Sequence, residues 1–139
     1  TIAIKNRQNV FEPRHDAFTK AAIALLMQYG EKYKIPIHIA LFMPNHVHIC
    51  VEASPQKSLL DFMREFKNLT TRLSWQHRHQ GSLWQTSFFD HFLRKEENIS
   101  TIVRYILNNP VRAKLTAYWW QYPYWYSNRY TTHQLKNTE

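Results

Sequence analysis

Glycine is nearly missing from this chain, with two among 139 residues, so there is no glycine-rich phosphate loop. Cysteine is scarcer still. The single Cys50 excludes an internal disulfide and suits a reducing compartment. No apolar run is long enough to span a bilayer and no signal peptide is visible, so a cytoplasmic protein is expected. The first residue is Thr1 rather than Met, which suggests that a few leading residues have been removed. Linkers, internal repeats and low-complexity stretches are also lacking. The whole chain, residues 1–139, therefore reads as one domain, large enough for two packed layers. Acidic residues are outnumbered, 10 against 18 Lys and Arg, for a formal charge of +8 and a pI near 9.7, and 15% of residues are aromatic. Cations meet phosphates and rings stack on unpaired bases, so this balance favours a nucleic-acid partner over a merely soluble basic protein.

The most informative stretch runs from Ile35 to Val51. Pro44-Asn45 is a turn signal between two alternating segments, Ile35 to Phe42 and His46 to Val51, and so predicts a β-hairpin. In the second strand Val47, Ile49 and Val51 share one face, while His46 and His48 share the other. Two neutral imidazoles at i and i+2 of a strand can reach one divalent cation. A second triplet, His77-Arg78-His79, falls where a helix is expected, and there i and i+2 diverge.

In chain order, Thr1 to Lys5 alternates as a strand, and Asn6 to Pro13 is a connection. Asp16 caps an expected helix to about Tyr29, stopped by Gly30. After the hairpin, Ser58 opens a long helix from Leu59 to about His79, ended by Gly81. Leu83 to Phe89 reads as a strand, and Glu96 to Asn108 as a helix stopped by Pro110. The remainder, rich in Trp and Tyr, shows no period. The order predicts an α+β fold, a ferredoxin-like βαββαβ antiparallel sheet with helices on one face and the other open, plus a C-terminal helix.

Laid out at about 100° per residue, the long helix puts Phe62, Met63, Phe66, Leu69 and Leu73 on a core side. Arg64, Lys67, Arg72, Trp75 and Arg78 gather opposite. A solvated charged face is the ordinary explanation of such a stripe. Its near-uniform positive sign and its Trp favour nucleic-acid contact instead. On the shorter helix Ile99, Ile102, Val103 and Ile106 form the apolar stripe, and Tyr105 lies well off it. Asn109, four residues on, shares the face of Tyr105 and could supply a hard oxygen ligand.

Met43-Pro44-Asn45-His46-Val47-His48, then Leu83-Trp84-Gln85 and Phe88-Phe89-Asp90-His91 with Arg94, then Arg104-Tyr105 through Asn109-Pro110-Val111-Arg112-Ala113, resemble the REP-associated tyrosine transposases. These are single-tyrosine members of the HUH (His-hydrophobic-His) nucleases. The resemblance runs from Thr1 to about Tyr126. It departs at Ala113-Lys114, where members usually carry Ala-Gly, and in the C-terminal aromatic segment. It implies that His46 and His48 hold Mg²⁺ or Mn²⁺, that Asn109 completes the metal site, and that Tyr105 is the nucleophile on a catalytic helix. The implied partner is single-stranded DNA folded into hairpins like those of repetitive extragenic palindromes, and the implied setting is nucleoid-associated. Arg94, Arg104 and Arg112 join the helix stripe as expected DNA contacts. Monomer and homodimer both stay open. One rival is a zinc hydrolase using His46, His48 and His38 or His91, and another is a repeat-DNA or RNA binder that does not cleave.

Overall fold

A computed structural model describes residues 1–86 and 98–136. Its elements are β1 (Ile2–Ala3), α1 (Asp16–Lys32), β2 (Ile37–Met43), β3 (His46–Val51), α2 (Leu59–Gln76), α3 (Ile99–Leu107), α4 (Asn109–Arg112), β4 (Trp125–Tyr126) and α5 (Thr132–Lys136). The sheet is four-stranded and antiparallel in the order β1-β3-β2-β4. The fold is α+β, as the alternation of periods predicts.

The predicted final strand contributes less than expected. Among the described residues it is one antiparallel bridge, Ile4 to Trp84, flanked by Lys5 N–H to Leu83 O (2.8 Å) and Gln85 N–H to Ala3 O (2.8 Å). It lies beside β1, where a ferredoxin-like order places its last strand. Phe88, Phe89, Asp90 and His91 lie outside the described residues, as does the expected helix start at Glu96. The fourth strand comes instead from the aromatic segment, where Trp125 pairs with Leu41 and Tyr126 with Ala40.

All of β2 is buried, because helices cover both of its faces. The register slips between Ile37 and Ile39, a bulge at His38 that two apparently alternating segments concealed. Past the bulge, Phe42 and Ala40 share a face with Val47 and Ile49, towards α1 and α2, where Phe42 packs edge-on against Phe66 and Phe11. Ile39, Leu41 and Met43 share the opposite face with His46 and His48. That face is not open. α3 packs across β2 and β3, burying Val103, Ile106 and Leu107.

Two helix ends differ from expectation. Asp16 is the first residue of α1 rather than its cap, and the helix runs through Gly30 to Lys32. Gly30 is buried, and a Cβ there would stand 2.7 Å from Ile37 Cδ1. It serves close helix–strand approach, not termination. Ser58 caps α2 as predicted, its hydroxyl accepting from Asp61 N–H at 3.1 Å. The helix stops at Gln76, short of the expected His79, because Arg78 turns left-handed at φ 71° and His79 N–H returns to Ser74 O at 3.0 Å. The buried line of α2 is Phe62, Phe66, Thr70 and Ser74, with Met63 and Leu73 at its margin. The Thr70 hydroxyl accepts from the Trp84 indole N–H at 2.9 Å, which explains a polar residue in that line.

Candidate functional site

The tight turn at Pro44-Asn45 starts β3 at His46, and the strand alternation carries His46 and His48 onto one face. Their rings lie edge to face, and the two Nε2 atoms approach to 3.1 Å. His46 Nδ1 lies 2.7 Å from Asn45 Oδ1, an acceptor, so that nitrogen carries the proton and Nε2 keeps a lone pair. His48 Nδ1 lies 3.0 Å from the Thr1 hydroxyl, and a proton held there and donated to Thr1 Oγ1 leaves His48 Nε2 a lone pair beside that of His46. Burial first, then the charge of Arg7, holds the His46 pKa below the ordinary imidazole value. Burial, then His46 and Arg112 among nearby charges, brings that of His48 down to about 4. Both rings are thus kept neutral at physiological pH, the form that ligates metals.

These residues suit a divalent ion. Two cis ligands at about 2.1 Å on an octahedral ion stand about 3.0 Å apart, close to the 3.1 Å between the Nε2 atoms. Asn45 supplies the kind of outer contact that fixes a ligand ring. Among the described residues no group of three His, Cys, Asp or Glu gathers to hold a metal. Of the third ligands named for the zinc alternative, His38 is engaged at Nε2 by Glu52 Oε1 (2.7 Å) and His91 lies outside the described residues.

Tyr105 lies off its helix's apolar stripe, as expected, and is 66% exposed. Pro110 ends α3, since it brings no N–H to the helix ladder, but the chain re-enters a helical turn at once as α4. That short break leaves Asn109 and Arg112 on the side of Tyr105. The Arg112 guanidinium sits 3.9 Å from the Tyr105 ring centroid and donates to Tyr105 O (2.7 Å) and to Asn109 Oδ1 (2.6 Å). Its charge also reaches His48. Tyr105, Asn109 and Arg112 therefore form one cluster, and α3, which carries Tyr105, packs against the strand that carries the histidine pair. Asn109 Nδ2 is buried without a hydrogen-bond partner.

The basic stripe of α2 is less uniform than its sequence. Arg64 and Arg72 are exposed, Arg64 bridging to Asp61 at 3.3 Å. Lys67 is half-buried, donates to Gln85 O at 3.2 Å, and has its pKa lowered by burial. Trp75 is 54% exposed, with its indole N–H on Gly81 O at 2.9 Å. Arg78 lies beyond the helix end and does not belong to the stripe. Arg104 is half-buried on α3, and Arg94 lies outside the described residues. Sequence reasoning missed Arg7, Asn45 and the stacking of Arg112. The turn signal at Asn45 was legible, but its bond to the next ring was not.

The paired histidines lie on β3 within the Met-Pro-Asn-His-Val-His stretch, and the exposed Tyr105 lies on α3, which packs against β2 and β3. The chain belongs to the IS200-like transposase family, whose model, described as "Transposase IS200 like", matches residues 1–109. Among solved structures it is similar to a REP-associated tyrosine transposase bound to a REP hairpin. The TM-score is 0.70 at 18% identity, covering 89% of this chain and 72% of the other. At that identity the likeness speaks for the fold. No curated protein matches the sequence.

Proposed function

We propose that this IS200-like transposase is a metal-dependent endonuclease and strand transferase acting on single-stranded, hairpin-forming repeat DNA. His46 and His48 would hold Mg²⁺ or Mn²⁺ through Nε2, with Asn109 Oδ1 as a further oxygen ligand. The bound ion supplies charge that polarises a phosphate oxygen. The Tyr105 oxygen attacks the phosphorus, forming a phosphotyrosine on the 5′ side as the bond to the 3′-oxygen breaks. The phenol gives up its proton and the departing 3′-oxygen takes one up. The phosphodiester energy stays in the covalent link, so attack by another 3′-hydroxyl reverses the step and joins a new end. Arg112, already on Tyr105 and Asn109, stands where a phosphate charge would enter.

The observation that carries this reading is a pair of imidazoles on β3 whose Nε2 atoms converge, with the exposed Tyr105 phenol on α3, the helix that packs against that strand. A non-cleaving hairpin binder is the second reading, favoured by the Arg112 bond that occupies Asn109 Oδ1. The test is to incubate the protein with a labelled hairpin oligonucleotide bearing single-stranded flanks, with Mn²⁺ or with a chelator. Denaturing electrophoresis and peptide mapping then follow. A metal-dependent adduct on Tyr105 is expected. Tight binding without any adduct would establish the non-cleaving reading.

A further inference from the structure

The second histidine triplet, which helical geometry would have scattered, is gathered by the early end of α2. His77 and His79 flank the left-handed Arg78, and all three line a cleft of about 650 Å³ with Arg14 and His15. No carboxylate lines it, although Glu12 bridges to Arg14 at 2.8 Å from outside. Among the described residues Arg78 makes no ion pair. Val10, Phe18 and Leu83 give the cleft an apolar floor, and the His77 ring lies 5.5 Å from that of Phe18. Exposed guanidinium groups beside apolar side chains, and a volume within the range of small-ligand sites, suit a nucleotide with its phosphate on the arginines.

The cleft also connects to the histidine pair. Val10 and Phe11 donate backbone N–H bonds to Pro44 O at 2.9 and 3.0 Å, tying this segment to the turn that starts β3. Arg7 acts on His46 by charge, and its neighbours Gln8 and Asn9 line the cleft. The same segment thus bonds to the turn before His46 and lines the cleft.

We infer that this cleft holds one nucleotide of the unpaired strand flanking the hairpin, its phosphodiester on Arg78, Arg14 and the imidazole donors. The inference rests on the single-stranded DNA substrate proposed above but not on cleavage. Arg78 is the key cation. Its left-handed backbone would suit glycine better than arginine, so the site keeps a guanidinium where the local conformation disfavours it.

Arg78→Gly removes the charge and eases the backbone, so folding is not at risk. Fluorescence anisotropy across a salt series would compare three probes: a hairpin with unpaired flanks, the same hairpin blunt-ended, and the mononucleotide dTMP as competitor. The variant is expected to bind the flanked hairpin about tenfold more weakly, with a log–log salt slope smaller by about one, and the blunt hairpin as wild type does. Equal loss on both hairpins, or on neither, would overturn the assignment. So would displacement of the flanked hairpin by dTMP at or below about 1 mM, the weak end of ordinary affinities, since the cleft would then serve free nucleotides. Wild-type protein that binds the flank through Arg78 but forms no Tyr105 adduct would refute the cleavage chemistry and leave the cleft assignment standing.

Discussion

At the end of α3 the Tyr105 phenol is 66% exposed, while in the C-terminal segment Tyr122 and Tyr124 are 6% and 4% exposed. The buried pair is anchored to the fold through oxygen. Tyr122 donates to Phe42 O of the central strand, and Tyr124 donates to Asp16 Oδ1 at 2.7 Å, at the start of α1. Their rings meet edge to face at 5.6 Å, and the chain between them and β4 bonds back to Phe42 N–H through Tyr124 O. The Tyr105 ring instead has the Arg112 guanidinium against it and keeps most of its surface in solvent. One phenol is offered and two are consumed by structure. Tyrosines in the aromatic segment would be alternative nucleophiles on composition alone. Burial and hydrogen bonding remove Tyr122 and Tyr124 from that role, and β4 pairing involves Tyr126.

The largest effect expected follows from that contrast. Tyr105→Phe should abolish the protein–DNA adduct and strand cleavage, by about three orders of magnitude or more, as loss of a nucleophile does. Hairpin binding and thermal stability should stay at wild-type values, since the ring and its stacking remain. An adduct of wild-type intensity from the Phe variant would end the case for Tyr105 and reopen Tyr118 and Tyr130. Next in size is His46→Ala. It should lower metal-dependent cleavage by at least about a hundredfold, a typical cost of losing a metal ligand or its support. Binding of the uncleaved hairpin should persist in a gel-shift assay. Cleavage that survives both this change and chelation would place the chemistry elsewhere.

Tyr122→Phe is the mirror experiment. It deletes a buried donor and leaves Phe42 O without its side-chain partner, so unfolding in urea should show a loss of about 1–3 kcal/mol. Specific cleavage activity per folded molecule should not change. A Phe variant as stable as wild type but slow in cleavage would invert the comparison between the two regions.

Much of this was legible because it is local. The Pro44-Asn45 turn fixes the alternation that pairs His46 with His48, Ser58 caps α2, and the displacement of Tyr105 from its apolar stripe follows from helix geometry. What escaped depends on distant partners. The bulge at His38 is set by pairing with Val51 and Cys50, and Gly30 is explained by Ile37 on another element. The aromatic segment has no period because its tyrosines and Asn128 each meet a different target. Asn128 Oδ1 accepts from Ile37 N–H at 2.8 Å and its Nδ2 donates to Ile35 O at 2.9 Å. The His77-Arg78-His79 triplet misled for the opposite reason. A helical period continued on paper past the residue where the backbone turns left-handed.

The smallest effect expected is in alkali, where the buried tyrosines link folding to proton binding. Burial pushes the Tyr122 phenol well above its ordinary value, and burial together with the Asp16 carboxylate pushes Tyr124 up to about 12. A free phenol in the unfolded chain ionises near about 10. Below that pH both states hold these protons and stability does not depend on them. Between about 10 and 12 the unfolded chain releases them while the folded chain keeps them, so the unfolded state binds fewer protons and stability must fall as pH rises. Melting temperatures measured from pH 9 towards pH 11.5 should therefore decline. The decline should be shallower in Tyr124→Phe, which has no phenol to titrate at that position. If Tyr124→Phe keeps the full wild-type slope, the buried phenol of Tyr124 is not what couples this fold to alkaline pH.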